Sequence, residues 1–190
     1  MTDLAHEFIV RRALQTPDAE ALAYDGRQLS YAVLAEQVQS MAQALLAMGL
    51  GRSERVAVYL EKRLETVVAL FGAAAAGGVF VPVNPLLKPE QVAYILGDCN
   101  VRILVTSADR LSLLTDILPQ CHDLHTIVVV GAAETLPNFP GLNVVPWSDV
   151  FTAGASCHVH RRIDSDMAAI LYTSGSTGKP KPNAKRWASF

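Results

Sequence analysis

Only three cysteines, Cys99, Cys121 and Cys157, occur in this chain of 190 residues, and no two of them have C-x-x-C spacing. An odd count without that spacing disfavours a disulfide framework and suits a reducing compartment, so the cytoplasm is the expected location. Net charge is also nearly absent, since 16 basic residues against 18 acidic ones leave a formal −2. The basic excess that a nucleic-acid surface or an anionic membrane requires is missing. The terminal "KRW" offers one aromatic residue, and neither a nucleic-acid partner nor a membrane partner is expected. The opening "MTDLAHEFIV" is acidic and polar where a signal peptide would be basic and then apolar. Charge disappears from Thr66 to Leu87, "TVVALFGAAAAGGVFVPVNPLL". A membrane helix needs about 20 apolar residues. Gly77, Gly78, Pro82 and Pro85 punctuate the run, which predicts a buried helix through Ala76, a glycine stop and a buried strand "VFVPV". No integral membrane segment is expected. Metal-finger spacing is lacking as well. "CHDLH" at 121–125 and "CHVH" at 157–160 each place a cysteine near two histidines, and both read as polar residues between elements, with no metal site expected.

What the chain has is apolar residues, 51% against 18% charged, enough for a sizeable core in one domain. No internal repeat or low-complexity tract interrupts it. Residues 4–15 read as an amphipathic helix, and Thr16-Pro17-Asp18 breaks it. "EALAYDGRQLSY" reads as a hairpin turned at Asp25-Gly26. Ser30 can cap a helix that Gly49 ends. Strands "RVAVYL", 79–83, "VRILVTS" and "HTIVVVG" then alternate with helices "LETVVALFGAAAAGG", "PEQVAYILGDC" and "ADRLSLLTDILPQC". Regularity fades from Ala132 to Asp166, where one short strand is expected before a last strand, "MAAILYTSG". This alternation predicts an α/β fold, a mostly parallel sheet with helices on both faces.

The chemistry is concentrated in Thr173-Ser174-Gly175-Ser176-Thr177-Gly178-Lys179-Pro180-Lys181. Four hydroxyls alternate with backbone amides that two glycines leave unobstructed, and such amides can converge on an anion. Lys179 and Lys181 add mobile positive charge suited to phosphate oxygens. A Walker A loop needs G-x-x-x-x-G-K-[ST]. Here the glycines are spaced G-x-x-G and Pro180 stands where the metal-binding hydroxyl would be, so that class drops out. On composition alone, a flexible linker reads equally well.

The order of residues favours phosphate. "YTSGSTGKPK" after a buried strand resembles the phosphate loop of the adenylate-forming (AMP-binding) enzymes: acyl-CoA synthetases, peptide-synthetase adenylation domains and luciferases. "LSYAVL" at 29–34 resembles that family's early motif, and "GAAAAGGVFVPVNP" at 72–85 its second. The resemblance implies that Thr173, Ser174, Gly175, Ser176, Thr177, Gly178 and Lys179 wrap the ATP phosphates, with Lys181 beside them. Lys179 would stabilise the departing pyrophosphate. It further implies ATP, Mg2+ and coenzyme A as cofactors, with a carboxylic acid and either coenzyme A or a carrier thiol as partners. Tyr31, Gly77 and Pro82 are expected to serve packing and chain direction.

The resemblance runs to Lys181. Residues 1–181 therefore read as the incomplete N-terminal part of the family's large domain, ending in the phosphate loop, and 182–190 as a divergent tail. "NAKRWASF" has no strand alternation, and Pro182 stands where the family has glycine. The family's metal-binding Glu, ribose-binding Asp, catalytic Lys and coenzyme A site are not found in these residues, so no complete catalytic set is expected and the chain alone should be inactive. An acyl-CoA ligase is the favoured class, because no "D-x-x-[YF]-P" follows Pro85. An adenylation domain is the alternative, and a catalytically dead binding module another. In the last case the sheet would end in an unpaired edge that invites self-association.

Overall fold

In the computed structural model, which describes residues 5–131, 137–152, 166–173 and 180–186, seven strands form one sheet. The first helix, α1, spans Ala5–Gln15. A separate hairpin follows, β1 (Glu20–Tyr24) with β2 (Arg27–Ser30). Its turn residues Asp25 and Gly26 both have positive φ, 51° and 71°, as a tight hairpin turn with the right twist demands. Next come α2 (Tyr31–Ala47), β3 (Arg55–Tyr59), α3 (Leu64–Ala75), β4 (Val79–Pro82), α4 (Pro89–Asp98) and β5 (Val101–Ser107). Then follow α5 (Ala108–Leu114), β6 (Thr126–Val130), β7 (Asn143–Pro146), β8 (Met167–Thr173) and β9 (Lys181–Arg186).

The strand order is β7-β6-β5-β3-β4-β8-β9. All pairs are parallel except β8–β9. Alternation along each strand divides the core into two layers. Val56 and Val58 face Leu34, Val38, Met41 and Leu45 of α2 and Val68 of α3. Ala57 and Tyr59 face Val92, Ile95 and Leu96 of α4 and Leu111 and Leu114 of α5. Among the described residues, no helix is long and apolar enough to cross a membrane.

The helix ends follow their sequence signals. Ser30 accepts a hydrogen bond from the Val33 amide at 3.4 Å at the start of α2. At its far end Gly49 takes φ +87°. The Gly49 amide donates to the Leu46 carbonyl and the Leu50 amide to that of Leu45. Gly77, at φ +92°, ends α3 in the same way, with Gly77 and Gly78 donating to the carbonyls of Ala74 and Ala73. Both are Schellman closures, which need a residue free to enter the left-handed region. Tyr31 opens α2 half-buried, with Arg12 over its ring at 5.6 Å, and Pro82 pairs with Val58.

Two expectations are corrected. The helix predicted over "ADRLSLLTDILPQC" stops at Leu114, and a 3-10 turn covers Leu118–Gln120. Pro119 lacks the amide that a continuing helix would donate to the Thr115 carbonyl. The tail also departs from its reading. Lys181–Arg186 is a strand, antiparallel to β8 in a register that runs from Thr173↔Lys181 to Ala169↔Lys185. Its side chains lack alternation because it takes its stability from the β8 ladder rather than from a buried face; five of its six residues are exposed. The edge of β8, expected to be open, is therefore paired.

The hairpin is held to the body by charge. Arg27 from β2 donates to Oε1 of Glu65 at 3.0 Å, and Arg63 donates to Oε2 at 2.9 Å. Burial opposes the charged form of Glu65, but the bonds from Arg63, its own backbone and Arg27 outweigh it and hold its pKa below the ordinary value. Its position in the first turn of α3 suits a negative charge.

Two predictions follow from this packing. A Cβ added at Gly72 in α3 would lie 2.7 Å from the Cβ of Met41 in α2, whereas one at Gly97 in α4 meets nothing within 4 Å. Alanine gains about 1 kcal/mol in helix propensity at either site, and overpacking costs about 1–3 kcal/mol at the first. Urea denaturation should find Gly72→Ala destabilised and Gly97→Ala stabilised. Glu65→Gln should cost about 1–3 kcal/mol at pH 7, because two guanidinium groups lose their anion. A carboxylate with a depressed folded pKa contributes stability above about pH 4.5 and loses it as pH falls through the folded value. The gap between Glu65→Gln and wild type should therefore narrow as denaturation is followed to pH values below about 4.5, and a gap of constant size would contradict the assignment.

Candidate functional site

In an open sheet whose winding reverses, ligands ordinarily enter at the carboxyl ends of the strands, where the order changes direction. That point lies between β3 and β5, and Arg110 of α5 occupies it. Its guanidinium lies 5.0 Å from the centroid of the Tyr59 ring, and its Nε donates to Oε1 of Glu61 at 2.6 Å. Its Nη1 donates to the Pro85 carbonyl at 2.5 Å, and Tyr59 donates to the carbonyl of Leu87 at 3.2 Å. These contacts clamp the "NPLL" segment at the end of β3. The hydroxyl- and lysine-rich run singled out in the sequence lies elsewhere, in the connection between β8 and β9.

Thr173 is the last residue of β8 and Lys181 the first of β9. They are paired across the antiparallel ladder and both are exposed. Residues directly opposite each other in such a pair share a face. The strands thus bring a hydroxyl and an ammonium together at the mouth of the connection, and Pro180 behind them is buried. Ser174, Gly175, Ser176, Thr177, Gly178 and Lys179 lie outside the described residues. Of the predicted set, the structure places Thr173 and Lys181, and it places them side by side.

Just before Thr173, the Tyr172 hydroxyl donates to Oδ2 of Asp98 at 2.6 Å. Burial first, and then the Asp98 carboxylate, push the Tyr172 phenol far up, so it remains a donor throughout the range of ordinary assays. Asp98 ends α4, and Arg55 secures that end. Its Nε donates to the Cys99 carbonyl and its Nη2 to the Asn100 carbonyl at 2.7 Å. Arg55, Asp98, Cys99, Tyr172, Pro182 and Ala184 line one cleft of about 430 Å³ beside the hairpin. None of Arg55, Asp98 and Arg110 was marked as functional by sequence reasoning. One signal was available: a carboxylate at the last position of a helix opposes the helix dipole and so calls for a partner.

The cysteine and histidine clusters do other work. Cys121 is buried, and burial pushes its thiol up. Cys99 is buried with the same result, its thiol donating to the Ile95 carbonyl at 3.0 Å. His125 lies against Arg102, 3.3 Å from Nε2 to Nη1. Among the described residues, no three histidine, cysteine or acidic side chains converge as a metal site would need. Cys157, His158 and His160 lie outside them.

The comparisons agree with this architecture. The family described as AMP-binding enzyme matches residues 9–184, three residues beyond Lys181. Tyrocidine synthase 3 of Brevibacillus parabrevis is 32% identical over 179 residues, covering 93% of this chain and 2% of that protein. Crotonobetaine/carnitine–CoA ligase of Salmonella paratyphi A is 32% identical over 180 residues, covering 94% of this chain and 34% of the ligase. Among solved structures, the anthranilate CoA ligase AuaEII in complex with anthranoyl-AMP superposes with a TM-score of 0.87 at 25% identity. That match covers 98% of this chain and 35% of the ligase. VinN with 3-methylaspartate gives 0.76 at 27% identity, covering 97% and 48%. The chain thus spans about a third of the CoA ligases it matches. With a family match over nearly its whole length, a parallel sheet that superposes on adenylate-forming structures and a hydroxyl-rich hairpin loop, the chain belongs to the AMP-binding, adenylate-forming enzymes.

Proposed function

We propose that these residues are the N-terminal, phosphate-holding portion of an AMP-forming acid–thiol ligase. Such a ligase joins a carboxylic acid to AMP with release of pyrophosphate, then passes the acyl group to the thiol of coenzyme A. The observation that carries this reading is the β8–β9 hairpin, with Thr173 and Lys181 paired at the mouth of "SGSTGKP". The hydroxyls of Thr173, Ser174, Ser176 and Thr177 and the amides beside Gly175 and Gly178 hold phosphate oxygens. Lys179 neutralises charge as pyrophosphate departs, and Lys181 adds to the same field. The logic is that of group transfer at phosphorus, in which positioning and charge neutralisation supply most of the acceleration. The described residues gather no carboxylate set for Mg2+, so no step is assigned to the metal. Buried, free Cys99 and Cys121 suit a reducing cytoplasm.

A second reading, an adenylation domain that loads a carrier thiol, draws support from relatives named as synthases of tyrocidine, gramicidin and surfactin. The "NPLL" sequence after β4 favours coenzyme A.

Acid-dependent exchange of labelled pyrophosphate into ATP, measured on the full product of the gene with a panel of carboxylic acids, tests the reading. At least one acid should support exchange. Lys179→Ala should lower it about 100-fold or more without changing the melting temperature, the usual scale for removing one charge-stabilising group. Silence with every acid, or full exchange in the variant, would overturn the proposal. Acyl transfer to coenzyme A rather than to a phosphopantetheinyl carrier separates the two readings. The 190 residues alone should bind ATP weakly and show no exchange.

A further inference from the structure

β8 joins the parallel part of the sheet through β4 alone. Its parallel register with β4 rests on the single pair Phe80↔Ala169. By contrast, β3 and β5 are matched at five positions. β9 is laddered to β8 as far as Thr173↔Lys181 but has no other partner in the sheet, so the position of that end relative to the body of the sheet is left for side chains to fix. One described hydrogen bond does so, from the Tyr172 hydroxyl to Oδ2 of Asp98 at 2.6 Å.

Asp98 is a firm anchor. It is the last residue of α4, a helix whose Val92, Ile95 and Leu96 are almost wholly buried against the sheet. Arg55, the first residue of β3, ties the same end of α4 to the central strand through the carbonyls of Cys99 and Asn100. A continuous path of contacts thus runs from β3 through the end of α4 to the residue before Thr173. The helix terminus itself disfavours a carboxylate at this position. The Tyr172 phenol supplies a compensating donor from β8, beside that of Tyr94 one turn earlier on α4, and burial together with Asp98 keeps the Tyr172 phenol protonated. Packing alone does not require the hydroxyl, because the ring lies against the apolar α4–α5 layer and phenylalanine would fill the same volume.

We propose that Asp98 and Tyr172 are positioning residues for nucleotide binding. The phenol–carboxylate bond sets the point at which β8 delivers the chain into the phosphate loop, and so sets the affinity for the phosphates. This inference rests on reading 173–181 as that loop. Neither side chain needs to touch the nucleotide. Both act through the placement of Thr173.

Amide hydrogen exchange on the 190-residue chain, with and without millimolar ATP, tests both parts. Tyr172→Phe and Asp98→Ala should each speed exchange across 173–181 about fivefold, with β3, β5 and β6 unchanged, the scale of one lost hydrogen bond to a charged group. The double variant should be no worse than either single, as expected when both remove one shared interaction. Asp98→Asn keeps an acceptor oxygen and should stay close to wild type. ATP should bind about fivefold more weakly to the two single variants, while their urea midpoints stay close to wild type. Unchanged exchange at 173–181 in the single variants, additive effects, or loosening spread evenly through the sheet would overturn the anchor. Loosening of 173–181 with ATP affinity unmoved would overturn its role in nucleotide binding. If ATP fails to slow exchange across 173–181 in wild type while the variants still loosen it, the phosphate-loop reading is what falls.

Discussion

Burial of β3 on both faces and both edges is the constraint on which the rest of this structure depends. Val56 to Tyr59 are at most 2% exposed, with β4 and β5 paired in parallel on either side. Parallel partners cannot be joined by a tight turn, so each connection must leave the sheet and return over a face. The chain goes from β3 to β4 in one direction, then from β4 past β3 to β5 in the other. Right-handed crossovers in opposite directions place α3 and α4 on opposite faces. One buried strand thereby dictates two helical layers, and α2 and α5 complete them. The same geometry sends the end of α4 back to the start of β3, where Arg55 and Asp98 sit.

This scaffold separates rigidity from chemistry. Apolar strands with almost no exposed surface supply the frame, and the hydroxyls and lysines lie on a hairpin at its margin. The usual crevice at the reversal of winding holds Arg110, Glu61 and the Tyr59 ring instead. On the reading proposed above, a loop that holds phosphates needs backbone freedom, which glycines permit, and also fixed ends. Pairing of Thr173 with Lys181 supplies the second requirement without restricting the first.

Much of this was legible because the signals are local. Asp25-Gly26, Ser30, Gly49 and Gly77 act within a few residues of themselves, and each performs the turn, cap or stop expected of it. The family was legible for the same reason, from hydroxyls, glycines and lysines in one short run. Failures came where the cause is distant. Residues 181–186 become a strand only because β8 offers a ladder, and nothing in Lys-Pro-Asn-Ala-Lys-Arg announces it. Asp98 and Tyr172 lie 74 positions apart, so no window of sequence contains their bond. The shortened α5 is a different case, since its cause, Pro119, is local and visible in the sequence.

The strand that follows the loop also determines how this margin behaves toward copies of itself. β9 carries Lys181, Lys185 and Arg186 and includes Pro182, which has no amide to donate. Two such margins approaching edge to edge would bring six cationic side chains together along a short ladder that already lacks donors. The repulsion is strongest at low ionic strength and fades with added salt. The cations proposed to favour a phosphate at the mouth of the loop would thus also oppose edge-to-edge pairing of two such margins.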